Sequence, residues 1–186
     1  MSGSEANDGY GLPAVIALES LPSHHVCPDI ILAYIRYWQG LRGDRTFPLL
    51  RDLFDSPDWK IQPSLVIIDI ERETDQRIRL AGTAIDSFFG GDFTGLDFLK
   101  TATDDTRHIF VRAHQVLSRV PCGKLHFSMC STTTGREIEV CALALPFKRG
   151  NGLPCAAWLL VLGGTLNYGE LGAEIRSISA EYWIAI

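Results

Sequence analysis

The sequence predicts an α+β domain: a five-stranded antiparallel sheet with helices on one face, and further helices at the N- and C-terminal ends. Three observations predict it. Residues 65–81 contain two strand-like runs around a polar turn, and residues 124–162 contain three more. Between the blocks lie short, glycine-broken segments. The long stretch at residues 104–120 carries apolar residues at helical spacing. Hairpin blocks separated by helices give an antiparallel sheet with the helices arched over one side.

Residues 1–25 are expected to be flexible, because Gly, Ser, Asn and Pro punctuate them and apolar residues are sparse apart from 14–18. Residues 26–60 read as a helical extension. Pro28 suits the first position of a helix over 28–41, and Ile31, Tyr34, Ile35, Trp38 and Leu41 form one apolar stripe along it. Residues 49–54 add a short helical piece, and Pro57 and Pro63 enforce an extended connection.

The main domain is expected over residues 61–166. Its first strand, residues 65–70, is mostly apolar on both faces, and the second, residues 76–81, alternates. Gly82 breaks that alternation. Ala84, Ile85, Phe88 and Phe89 then recur at helical spacing with Thr83 placed to cap them, and Gly90-Gly91 ends the turn. Asp104 and Asp105 favour the start of the long helix and Pro121 stops it. The third strand, residues 124–131, sets Leu125, Phe127 and Met129 against Lys124, His126 and Ser128, which puts His126 on a polar, exposed or interface side. Residues 137–145 and 155–162 form the fourth and fifth strands, and the continuous apolar run of the fifth implies cover on both faces. In residues 167–186, Leu171, Ile175, Ile178 and Tyr182 stand at helical spacing, so a helical tail is expected.

A chain of 186 residues, 46% hydrophobic and 21% charged, can bury a core without metal or disulfide staples. A net charge of −5, with no basic cluster longer than Lys148-Arg149, argues against a nucleic-acid surface. The longest apolar run, residues 154–164, is of strand length, so no membrane span is expected. The N-terminus shows no basic-then-apolar leader, and the five cysteines, at 27, 122, 130, 141 and 155, form no CxxC pair. Buried free thiols in a cytoplasmic protein are the expectation.

Three features together carry a resemblance. They are Tyr37-Trp38 followed by Leu41-Arg42-Gly43, the run RLAGTAIDSFFGGDFTG at residues 79–95, and EVCALALP at residues 139–146 before a basic, glycine-containing turn. In wording and in element order the chain resembles a bacterial family of small, stand-alone PAS-like proteins, over roughly residues 31–162. The resemblance implies the spatial strand order 2-1-5-4-3. It also implies a small-molecule pocket or a protein-interaction surface in a sensory role, and neither an enzyme nor any particular ligand.

Flavin-thiol photochemistry in this superfamily needs a cysteine after the second strand, where this chain has Asp86-Ser87-Phe88-Phe89. That chemistry is therefore not expected. Haem-binding relatives ligate iron through a histidine on the long helix. His114 shares the face of Phe110 and Leu117, so it could ligate haem or orient a ligand, although a histidine satisfied by the protein itself is the plainer reading. The cofactor is left open. His24-His25 lacks neighbours at metal spacing, and no metal site is expected. Gly90-Gly91-Asp92 lacks the Lys-Ser/Thr of a phosphate loop, and Ser87 and Ser128 stand in no nucleophile motif, so catalysis is not expected.

The expected ligand-binding residues are Thr83, Phe88, Phe93, Phe98, Phe110 and His114. The phenylalanines would wall an apolar pocket, or would simply fill a core. The expected dimer or partner interface is Ile31, Tyr34, Ile35 and Trp38, a stripe suited to covering the far side of the sheet either in cis or across a homodimer. With some two dozen residues after the fifth strand, no output domain is expected, and any signal would leave through a separate protein. The leading expectation is a sensor that binds a small molecule and relays to that partner; a ligand-free dimerisation or interaction adaptor is the alternative.

Overall fold

The computed structural model describes residues 13–22, 28–56, 58, 60–72 and 74–186. His24, His25 and Cys27 lie outside the described residues. In chain order the elements are β1 (Val15–Ile16), α1 (Asp29–Arg42), α2 (Leu50–Asp55), β2 (Leu65–Arg72), β3 (Asp75–Ala81), α3 (Thr83–Phe89), α4 (Asp104–Leu117), β4 (Cys122–Thr132), β5 (Glu137–Lys148), β6 (Pro154–Leu162) and β7 (Gly172–Ala185), with short 3₁₀ turns between some of them.

One sheet runs in the order β1-β7-β4-β5-β6-β2-β3. The five strands expected from sequence are β2 to β6, and they stand in the expected spatial order. The sheet nevertheless has seven strands, because β7 pairs antiparallel with β4 and β1 pairs parallel with β7. The expected helical tail is thus a strand. Its register against β4 shifts opposite Phe127/Ser128, Met129/Cys130 and Ser131/Thr132. Each extra residue at such a bulge breaks the period of two. The intervals between Ile175, Ile178 and Tyr182 then imitate a helical stripe although the backbone is extended. β1, within the stretch expected to be flexible, pairs Val15 with Trp183 and Ile16 with Ile184.

Helices cover both faces of the sheet rather than one. On the first face, α1 buries Ile31, Tyr34, Ile35 and Trp38 against Leu125, Phe127, Leu143, Leu145 and Ala157 of the same chain. The Tyr34 hydroxyl donates to the Ala157 carbonyl at 2.8 Å, and Trp38 Nε1 donates to the Pro146 carbonyl at 2.7 Å. These bonds satisfy the polar tips of two aromatic side chains that are fully buried. Burial of each large side chain contributes about 1.5–3 kcal/mol. The stripe expected at a dimer or partner interface therefore belongs to the chain's own core, which is the in-cis alternative.

On the second face, α3 and α4 lie over Val66, Ile68, Ile78, Ala142, Ala144 and Trp158. Gly82 is the N-cap of α3 and no side chain caps it, so Thr83 stands in the first turn instead of capping it. Gly90 ends α3 with φ at +73°, a left-handed conformation that favours glycine. A methyl group added at Gly172 would sit 2.5 Å from the Phe88 ring, so β7 approaches α3 as closely as only a glycine allows.

Candidate ligand cavity

Between the second face and its helices lies a cavity of about 300 Å³. The sheet supplies Val66, Ile78, His126, Val140, Ala142, Trp158 and Leu160. The helices and turns above supply Ile85, Phe89, Phe93, Phe98 and Phe110, and β7 closes one side with Gly172, Glu174 and Ile175. Glu174 and Thr101 both line the cavity and are exposed, so they mark its mouth. The lining is mainly apolar and aromatic with few polar groups, the usual character of a small-molecule site.

The aromatic rings brace one another. Phe98 meets Phe110 edge-on at 5.2 Å between centroids, and Phe110 meets Trp158 at 5.8 Å. Trp158 is held from behind by a buried chain of hydrogen bonds. Its indole N–H donates to His114 Nε2 at 2.8 Å. An indole can only donate, so Nε2 is the bare nitrogen of His114, and Nδ1 carries the proton and donates to Gln76 Oε1 at 2.7 Å. Burial lowers the His114 pKa to about 3, which keeps the ring neutral at pH 7 as this pattern requires.

Of the residues expected to bind a ligand, Phe93, Phe98 and Phe110 line the cavity. Phe88 does not. It lies one helical step from Phe89 and turns instead toward Cys130, Ile138 and Val140. Thr83 is exposed and borders a separate groove with Leu53, Phe54 and Gln62. His114 is fully buried behind the wall with both nitrogens engaged, so neither is free for iron or for a ligand.

His126 and Trp158 also line the cavity, although neither is among the residues expected to bind a ligand. The side of β4 that carries His126, expected to be exposed or at an interface, faces α4 and the cavity instead, and the residue is 3% exposed. Its ring lies 5.2 Å from Trp158 and 6.0 Å from Phe110 between centroids. Nδ1 of His126 is buried with no hydrogen-bond partner among the described residues. Burial, then the positive charge of Lys124, lower its pKa to about 3. Lys124 is itself buried, paired with Glu181 at 2.7 Å and placed over the Trp183 ring. A sequence signal for His126 was available: three polar residues on alternate positions of a strand that is otherwise central to the sheet.

The four described cysteines are free and buried, and burial pushes Cys122 up to about 11 and Cys155 up to about 12. Among the described residues no three His, Cys, Asp or Glu side chains come together as a metal site, and no helix is long and apolar enough to cross a membrane.

The profile of the family described as the PAS domain matches residues 29–158. The chain belongs to the PAS domain family, and that membership marks it as a sensory or signalling module. The match begins at α1 and ends in β6, so the cavity wall supplied by β7 lies outside it. No curated protein and no solved structure matches the chain.

Proposed function

We propose that this protein is a sensory module that binds a small, mainly apolar molecule in the cavity between the sheet and α3–α4, and passes the bound state to a separate partner protein. The cavity itself carries the reading: it is a recess of about 300 Å³ lined mainly by apolar and aromatic side chains with few polar groups, the character of a small-molecule site. It is walled by rings that are held in place by one another and by His114. A non-catalytic role agrees with this, since His114 is spent on holding Trp158. A relay toward β7 is supported by Gly172, Glu174 and Ile175, which belong both to the cavity wall and to the strand beside β4.

The test is a library of small aromatic and aliphatic compounds screened by thermal shift, with native mass spectrometry of the purified protein. A retained species or a set of saturable hits supports the reading. A protein that emerges empty and responds to no compound refutes it.

A second reading, the interaction adaptor, has a different observation in its favour. Apart from Trp183 and Ile184, β7 has no strand partner on its outer side among the described residues. Such an edge offers backbone donors and acceptors to a second copy or a partner strand. Light scattering on the eluting protein decides on a homodimer, and a proline at Ser179 in β7 should abolish it if that edge forms the contact.

A further inference from the structure

We propose that His126 is the polar anchor of the cavity, and that the ligand is an uncharged ring compound of about ten to twelve non-hydrogen atoms bearing a single hydrogen-bonding group. This inference rests on the reading of the cavity as a ligand site and goes beyond it by naming the ligand class and the residue that selects it.

Size comes first. An engineered cavity of about 150 Å³ takes one benzene molecule. The present cavity, at about 300 Å³, therefore takes roughly two rings' worth of atoms. Haem and flavin nucleotides are much larger. The surround of Phe89, Phe93, Phe98, Phe110 and Trp158 favours a flat aromatic body, because ring edges and faces pair with one another.

Polarity comes second. Buried polar atoms nearly always have a partner, and one left without it is destabilising. His126 Nδ1 has none among the described residues, on a side chain that is 3% exposed and lines the cavity. Trp158 and Phe110, which flank the imidazole, spend no polar group on it: the Trp158 indole N–H is already given to His114, and phenylalanine has none. The imidazole borders the cavity, and a ligand seated against it would supply the missing partner. A hydroxyl serves whichever nitrogen carries the ring proton, since it both donates and accepts.

Charge comes third. The imidazole is neutral at pH 7, so it offers a carboxylate no counter-charge. Lys124, the nearest buried cation on the strand, is already paired with Glu181. At the mouth, Glu174 adds a negative charge, itself balanced by Arg176 at 3.1 Å. A charged ligand would lose its hydration for no compensating partner.

The test compares 2-naphthol with 2-methylnaphthalene, nearly equal in shape, by calorimetric titration of the full chain and of His126→Phe. The inference predicts that the native chain prefers the naphthol about tenfold and that His126→Phe loses this preference while still binding the hydrocarbon. A second measurement needs no variant fold. In ¹⁵N-histidine-labelled native protein, the Nδ1 resonance of His126 should shift on adding the naphthol and stay in place on adding the hydrocarbon. Equal affinities with an unmoved Nδ1 resonance overturn the anchor and leave the cavity reading intact. Binding of neither compound overturns both.

Discussion

Acid should unfold this protein through its buried histidines, before the pH falls far enough for Glu170 to matter. His114 and His126 each have a folded-state pKa lowered to about 3, against an ordinary value of 6.5. In the unfolded chain both rings take up a proton as the pH falls below 6.5, whereas in the folded chain both stay neutral until about 3. The unfolded state therefore binds more protons throughout that window, and stability falls as pH falls. Between pH 7 and pH 5 each histidine accounts for about 2 kcal/mol, so the pair accounts for about 4 kcal/mol. That is a large share of the roughly 5–15 kcal/mol that stabilises an ordinary domain. Glu170 enters only later: Arg136, then Thr134, the Asn167 backbone and Thr132, hold its carboxyl well below the usual range. Its contribution is present above the ordinary carboxylate value of 4.5 and is lost below it. The assay is urea unfolding followed by circular dichroism at pH 7, 6 and 5 and constant ionic strength. His126→Phe should remove about half of the pH dependence. A stability that changes by less than about 1 kcal/mol between pH 7 and 5 would refute the burial of both rings in their neutral form.

Other outcomes follow from the packing. Trp38→Phe removes the donor to the Pro146 carbonyl and leaves that carbonyl buried, so the urea midpoint should drop by the equivalent of about 1–3 kcal/mol. Gly172→Ala pushes a methyl group to 2.5 Å from the Phe88 ring and should destabilise by about 1–3 kcal/mol. Adding Phe88→Leu to that variant should recover part of the loss in a double-mutant cycle, because the two sites share one contact. Ala142→Leu extends a cavity-lining side chain from β5 into open space. It should keep stability within about 1.5 kcal/mol of the native chain and abolish 2-naphthol binding, as checked by thermal melting and calorimetry.

The parts of the fold that were legible in the sequence share one property: their periodicity is unbroken. Ile31, Tyr34, Ile35 and Trp38 keep a clean helical stripe, and α1 forms where that stripe predicts. β5 and β6 are central strands covered on both faces, and their near-continuous apolar runs say so. β7 stands where a helix is expected because three register shifts scramble its alternation, so that its spacing imitates a helix. β1 has two residues, too few to carry a pattern.

The cavity was half legible. Phe93, Phe98 and Phe110 could be placed because short, turn-rich segments over a sheet leave space between them. Phe88 and Phe89 are adjacent in sequence, and only packing against Gly172 decides which of the two faces the cavity. His114 lies on the buried face of its helix with Phe110 and Leu117, the face its spacing assigns it to. Its bonds to Gln76 and Trp158, 38 and 44 residues away, have no signature in sequence spacing. His126 was hidden by a sound rule applied to the wrong surface: polar residues on alternate strand positions usually meet water, but here α4 and the cavity rings lie over them.

The central claim is that this cavity takes a small aromatic molecule. The most direct measurement is a methyl NMR spectrum of isoleucine-labelled protein with and without 2-naphthol. Ile78, Ile85 and Ile175 line the cavity, whereas Ile31, Ile61 and Ile67 lie in the core on the opposite face of the sheet. The account predicts saturable ring-current shifts at the first three and none of comparable size at the second three. Shifts spread evenly over both sets, or no shift at Ile78, Ile85 and Ile175, would contradict it.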